Sequence, residues 1–234
     1  MRFRWATRTD VGRLRDHNED AVWPSESSGE SDRVVVAIAD GMGGHVGGEI
    51  ASKTAIESAA ASSGTPAVRV QAANIAVRDT AAKQPRLRGM GTTLTLAVLD
   101  GKKARLGHVG DSRAYLLHDG DLTQVTRDHS YVAEMIRAGR MTHEEAEVHP
   151  YRSVLLRAIG LESDVEVDSE EIEVAPGDRV LICSDGLSSM IGDDKIAEIL
   201  ADHGDPAEAA EKLIAAANAA GGADNISVVV VEAV

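Results

Sequence analysis

The chain has 234 residues, a formal net charge of −14, 43% hydrophobic residues, 3% aromatics and a single cysteine. That length suits one large domain or two small ones, with Val, Ile, Leu and Ala left to fill the core. The acidic balance argues against nucleic-acid binding and against anionic membranes. The lone Cys183 excludes an intramolecular disulfide and suits a reducing compartment.

Met1 to Asp10 include basic residues but no apolar run follows them, so they do not read as a signal peptide. No apolar stretch approaches the ~18–20 residues of a membrane span, and a soluble, cytoplasmic protein is expected. Ser25 to Asp32 is polar and expected to be a loop. Val34 to Ala39 is an apolar strand, and Val46 to about Ala61 has a helical pattern. Thr65-Pro66 supplies an N-cap and an N1 proline for a second helix running to about Lys83.

Leu94–Leu99, Ala104–Val109 and Arg113–His118 follow as neighbouring strands of one antiparallel part of the sheet, joined by Asp100-Gly101 and Asp119-Gly120, which are hairpin signals. Thr126 to Gly160 is charged and helical, with a capping box at Thr142 and Glu145. Val180–Ser184 is a strand, Asp205-Pro206 starts a helix ending near Gly221-Gly222, and Ile226–Val231 is a last strand.

The hairpins imply antiparallel sheets. Yet Val34–Ala39, Leu181–Cys183 and Val228–Val231 are apolar at every position, so both faces of their sheets must be covered. Two sheets packed together with helices outside each satisfy both conditions. The expected fold is therefore α+β, a four-layer α/β/β/α sandwich. A doubly wound parallel sheet competes with it, because strands also alternate with helices.

Four Asp-containing junctions mark strand ends: Asp40-Gly41, Asp111 in Gly107 to Ser112, Asp185-Gly186, and Asp224 ahead of the last strand. Singly, each Asp-Gly reads as a turn. Asp40-Gly41 and Asp185-Gly186, however, follow apolar strands directly and are not followed by a strand that would close a short hairpin, so their carboxylates sit where sites gather. Arg15 to Asp20 (Arg-Asp-His-Asn-Glu-Asp) reads either as a solvated loop or as a functional cluster. In the latter, Glu19 and Asp20 face metal-bound water and Arg15 an anion.

Competing chemistries fail on residues. The glycines after Asp40 do not complete a dinucleotide fingerprint, and no P-loop lysine follows. Cys183 lies inside an apolar strand with no arginine five residues beyond it, so it reads as a buried thiol. The eight histidines are scattered, which disfavours zinc. Oxygen-only ligation by Asp40, Asp185 and Asp224, with Asp111 as a further candidate, suits Mg²⁺ or Mn²⁺.

In order along the chain, Arg15 to Asp20, Asp40-Gly41-Met42-Gly43-Gly44, Gly91-Thr92-Thr93, Gly107 to Arg113, Cys183 to Gly186 and Ala223-Asp224-Asn225 resemble the motifs of PPM/PP2C-type metal-dependent Ser/Thr protein phosphatases in their compact bacterial form. The resemblance covers essentially the whole chain. It implies one catalytic domain over residues 1–234, with a flap at about 126–160 and the same four-layer sandwich. It also implies hydrolysis of phosphoserine and phosphothreonine in proteins by a hydroxide bridging two Mn²⁺ or Mg²⁺ ions, opposing Ser/Thr kinases.

By that resemblance Asp40 bridges the two ions, the Gly41 carbonyl binds the second, and Asp185 and Asp224 complete the first. Glu19 and Asp20 hold metal-bound water, with Asp20 and Asp40 central to catalysis, and Arg15 grips the phosphate. A third ion is implied near Asp111, Asp185 and Ser153. Phosphoprotein substrates and kinases are the implied partners of a monomer. Animal relatives place a histidine, proposed as general acid, directly after the Asp-Gly. Here that position is Met42, which leaves His149 in the flap, His45 or a metal-bound water for the role.

Overall fold

The computed structural model describes residues 1–43 and 46–234. In chain order these form β1 (Phe3–Asp10), β2 (Asp20–Trp23), β3 (Ser28–Ser31), β4 (Arg33–Met42), α1 (Val46–Ala61), α2 (Pro66–Lys83), β5 (Gly91–Thr92), β6 (Leu94–Asp100), β7 (Lys103–Val109), β8 (Arg113–His118), β9 (Asp121–Gln124), α3 (Tyr131–Arg137), α4 (His143–Glu147), β10 (Asp168–Glu173), β11 (Arg179–Cys183), α5 (Asp185–Ser188), α6 (Asp193–Asp202), α7 (Pro206–Ala219) and β12 (Ile226–Ala233).

Two sheets carry the molecule. One has the order β3-β1-β12-β11-β8-β9; the other runs β10-β7-β6-β4-β2, with β5 added on β4. The strand pairs are antiparallel, as between β4 and β6 or β11 and β12. Alternation along each strand explains the unbroken apolar runs. Val34, Val36 and Ile38 of β4 meet Val180 and Ile182 of β11 and Val229 and Val231 of β12 in a layer between the sheets. Ala37 and Ala39 face the other way, under α1 and α2. Leu181, Cys183, Val228 and Val230 pack under α6 and α7. Both faces are therefore dry, and fully burying each such aliphatic side chain stabilises the fold by ~1.5–3 kcal/mol. The four-layer sandwich is the observed architecture, and the doubly wound parallel sheet is not.

The caps form where the chain announces them. Thr65 accepts the Val68 N–H ahead of Pro66. The Thr142 and Glu145 side chains make the reciprocal capping box of α4.

Three expectations change. Ser28–Ser31 is a strand, not loop, held to β1 by main-chain pairing opposite Phe3 to Ala6. Segment 126–160 holds only the short helices α3 and α4 within turns. Most consequentially, β7 and β8 do not share a sheet. The chain leaves one sheet at Val109 and enters the other at Arg113, turning through Gly110 at φ 116°. A Cβ at Gly110 would stand 2.6 Å from Thr93, so the crossing demands glycine. Asp111 sits on that crossing.

Candidate metal centre

The two sheets bring their carboxylates to one end of the sandwich. From the first side, β2 and β4 pair with Asp20 opposite Asp40. Threonines from the start of the next hairpin fix Asp40. Its N–H donates to Thr93 Oγ1 at 2.9 Å, and its carbonyl accepts from Thr92 Oγ1 at 2.8 Å and from the Thr93 N–H at 2.9 Å. Gly41 follows with no room for a side chain, since a Cβ would lie 2.2 Å from the Gly48 carbonyl oxygen. The backbone can approach this closely only because the residue is glycine.

From the other sheet, Asp185 opens α5 directly beyond β11, and Asp224 stands two residues before β12. Ser184 joins the halves by donating to Asp20 Oδ2 at 2.8 Å. Asp224 Oδ1 accepts the Asn225 N–H at 2.8 Å, and its Oδ2 accepts from Arg15 Nη2 at 2.6 Å.

Asn225 also orders the loop that carries Arg15. Its side-chain oxygen accepts the Glu19 N–H at 2.8 Å, and its amide donates to the carbonyls of Val11 at 3.0 Å and His17 at 2.8 Å.

The carboxylates repel one another. Burial, then the charges of Asp20, Asp185, Asp111 and Asp224, hold the Asp40 carboxyl well above the usual range. Burial raises Asp20 against hydrogen bonds from Ser227 and Ser184. Asp111 is raised by burial and then by the Asp185 charge. Asp185 is raised by burial and then by Asp224, with relief from a hydrogen bond to Asp40.

Two oxygens, Asp20 Oδ1 and Asp185 Oδ1, are buried without a hydrogen-bond partner. An orphaned buried carboxylate oxygen is costly, and a bound cation would remove that cost. The donor set is all oxygen, which fits Mg²⁺ or Mn²⁺. Among the described residues no three His, Cys, Asp or Glu side chains close into a ligand cage. Hard ions of this kind keep several waters and take only one or two carboxylates each, so they do not require a closed cage.

The remaining expected residues fall differently. The Glu19 carboxylate lies against Gly48 in the first turn of α1, where an added Cβ would be 2.6 Å from Oε2. The Arg15 side chain is 54% exposed beside the cleft. Ser153 is exposed in the loop after α4, and among the described residues no hydrogen bond joins it to Asp111 or Asp185. His149 belongs to an aromatic group, stacked on Tyr131 at 5.6 Å and edge-on to Tyr151 at 5.6 Å, with Nδ1 accepting the Tyr151 N–H. His45 lies outside the described residues. Ser184 and Asn225 were not anticipated as functional, although both stand inside motifs that mark the site; Thr92 and Thr93 had no role assigned.

The sequence profile of the family described as "Protein phosphatase 2C" matches residues 14–219. The serine/threonine protein phosphatase PstP of Mycobacterium tuberculosis (strain CDC 1551 / Oshkosh) is 41% identical over 241 aligned positions, covering 99% of this chain and 45% of the relative. The chain thus spans less than half the length of that curated relative. Serine/threonine phosphatase stp of Listeria monocytogenes is 39% identical, covering 96% of this chain and 94% of the relative. A solved structure of the catalytic domain of PstP, in complex with two manganese ions, superposes with a TM-score of 0.86 at 38% identity, covering 99% of both chains. With its profile match, its relatives and its four-layer architecture in agreement, the chain belongs to the protein phosphatase 2C family.

Proposed function

We propose that this chain is a metal-dependent phosphatase acting on phosphoserine and phosphothreonine in proteins. The observation that carries the reading is the meeting of Asp20 and Asp40 from one sheet with Asp185 and Asp224 from the other, around two unpartnered carboxylate oxygens. The solved PstP domain with two manganese ions supports placing ions there.

Asp40, the Gly41 carbonyl, Asp185 and Asp224 would hold two Mn²⁺ or Mg²⁺ ions, and Asp111 with Ser153 is the candidate for a third. Bound there, divalent ions supply Lewis acidity, which ionises water near neutral pH and neutralises phosphoryl charge. The chain's own side chains orient the reactants. Asp20, fixed by Ser184, and Glu19 accept hydrogen bonds from water in the cleft. Arg15 exchanges Asp224 for a bidentate grip on two phosphate oxygens, which its planar fork matches. Met42 has no proton to give, so the leaving alkoxide must be protonated from elsewhere, and His149 in the flap is our candidate donor, with His45 as the alternative.

The same reading makes residues 1–234 one catalytic domain with its flap at 126–160, monomeric and opposing Ser/Thr kinases. A cytoplasmic location belongs to it, supported by the single buried Cys183. No helix among the described residues is long and apolar enough to cross a membrane. Turnover of a phosphothreonine peptide with Mn²⁺, abolished by EDTA and restored by added Mn²⁺, is the expected result; hydrolysis indifferent to both would refute the assignment.

A further inference from the structure

The flap segment is tied to the body of the protein around His129. The residue before it, Asp128, is held by Arg113, whose Nη2 and Nε reach Oδ2 at 2.8 and 3.0 Å. His129 itself is 3% exposed. Its N–H donates to the Gly110 carbonyl at 2.8 Å, and its carbonyl accepts the Leu156 N–H at 2.7 Å, where the flap returns.

The ring adds two more links. Nδ1 accepts the Gly110 N–H at 3.1 Å. A main-chain N–H can only donate, so Nδ1 carries a lone pair and the ring proton resides on Nε2. Nε2 stands 3.2 Å from Asp168 Oδ2 and 3.3 Å from Arg157 Nη1, which donates to the other oxygen of that carboxylate at the shorter distance of 2.7 Å. Burial, aided by the Arg157 charge and opposed by the hydrogen bond to Asp168, holds the His129 pKa below its ordinary value, in keeping with a neutral ring. Gly110 immediately precedes Asp111 and packs tightly on Thr93, so whatever holds Gly110 also places the Asp111 turn.

We propose that His129 is a positioning residue for the reaction: one imidazole fastens the Asp111 turn from Nδ1 and the Asp168–Arg157 pair from Nε2, so that the placement of Asp111 and the order of the flap are set together. The inference rests on Asp111 belonging to the reactive site. Neither nitrogen is spare, and a residue serving only to fill volume would need neither.

Paired amide variants separate the two links. In His129→Asn the amide oxygen falls near the Nδ1 position and can accept from Gly110; in His129→Gln the amide nitrogen falls near Nε2 and can donate to Asp168. Two quantities are read for each, alongside His129→Ala and the melting temperature. The first is the rate of tryptic cleavage after the exposed Arg137, Arg140 and Arg152, without added metal. The second is kcat and KM on a phosphothreonine peptide at saturating Mn²⁺. His129→Ala should lose both properties, with cleavage about tenfold faster and kcat about tenfold lower. His129→Asn should keep kcat within a few fold while its flap is cleaved quickly. His129→Gln should keep the flap protected while kcat falls.

Wild-type cleavage and kcat in His129→Ala would overturn the proposal. So would equal losses in Asn and Gln that simply follow melting temperature, including in preparations where His129→Ala fails to fold. If the wild-type protein shows no Mn²⁺-dependent turnover, the functional reading fails, and the cleavage rates alone decide whether His129 ties down the flap.

Discussion

Ser184 Oγ donates to Asp20 Oδ2 at 2.8 Å and accepts the Ser227 N–H at 3.0 Å, so one buried hydroxyl links a carboxylate of one sheet to the backbone of the other. Asp20 Oδ1 has no partner, and removing the hydroxyl would strip a hydrogen bond from Oδ2 as well. Ser184→Ala should therefore lower stability by ~1–3 kcal/mol, the usual cost of an unsatisfied buried polar group. Denaturant unfolding checks this. The Mn²⁺ concentration giving half-maximal activity should rise in parallel.

Asp40 stands at the centre of the mutual repulsion. Burial and four neighbouring carboxylates raise its pKa, so the folded metal-free protein binds more protons than the unfolded chain and its stability falls as pH rises above the ordinary carboxylate range. Asp40→Asn removes the charge. It should cost orders of magnitude in phosphatase activity while stabilising the metal-free protein by ~0.5–2 kcal/mol at pH 8, a trade common at reactive sites. Thermal melts with and without Mn²⁺ test both halves: the ion should raise the wild-type midpoint and barely move that of the variant.

Acid should weaken the fold from another place. His108 is 1% exposed; its Nε2 meets the Arg127 carbonyl at 3.0 Å, and burial, then His129, pushes its pKa down to about 4. In the unfolded chain the ring titrates near the ordinary 6.5, so the unfolded state binds the extra proton between those values. This contribution is complete above ~6.5 and disappears as pH falls toward ~4, amounting to ~3 kcal/mol across the window. His108→Asn should flatten the fall in melting temperature between pH 6.5 and 4.5 relative to wild type; an unchanged slope would contradict this account.

His149 offers a test of the proton donor. His149→Ala should reduce kcat on phosphoserine peptides by ~10²-fold or more while sparing an activated aryl phosphate, whose leaving group needs little help. Equal rates for wild type and variant on the peptide would remove His149 from the mechanism and leave the Tyr131–His149–Tyr151 ring group a purely structural feature of segment 126–160.

How much of this is legible in the chain depends on the kind of force involved. The dry layers show through because Val34–Ala39 and Val228–Val231 are apolar on both alternations, which only a doubly covered sheet tolerates. The four aspartates show through because each ends or precedes such a run. β3 and β10 do not, since they are polar edges held by main-chain pairing. In β10, Glu171 is matched across the ladder by Lys103 and Arg105. The change of sheet at Gly110 is invisible to periodicity, because β7 and β8 have apolar patterns that fit either sheet. The hydroxyls of Thr92 and Ser184 are invisible for another reason: their partners, Asp40 and Asp20, lie 52 and 164 positions away.

The layer of Val36, Ile38, Ile182 and Val229 between the sheets has a consequence for chemistry as well as for stability. It sets the gap across which Asp20 and Asp40 face Asp185 and Asp224, much as a spine sets how the covers of a book meet. Trimming or enlarging one of these side chains, far from any phosphate, would shift the two rows of carboxylates against each other. Affinity for the ions would then register misfit in the apolar interior before the fold itself gave way.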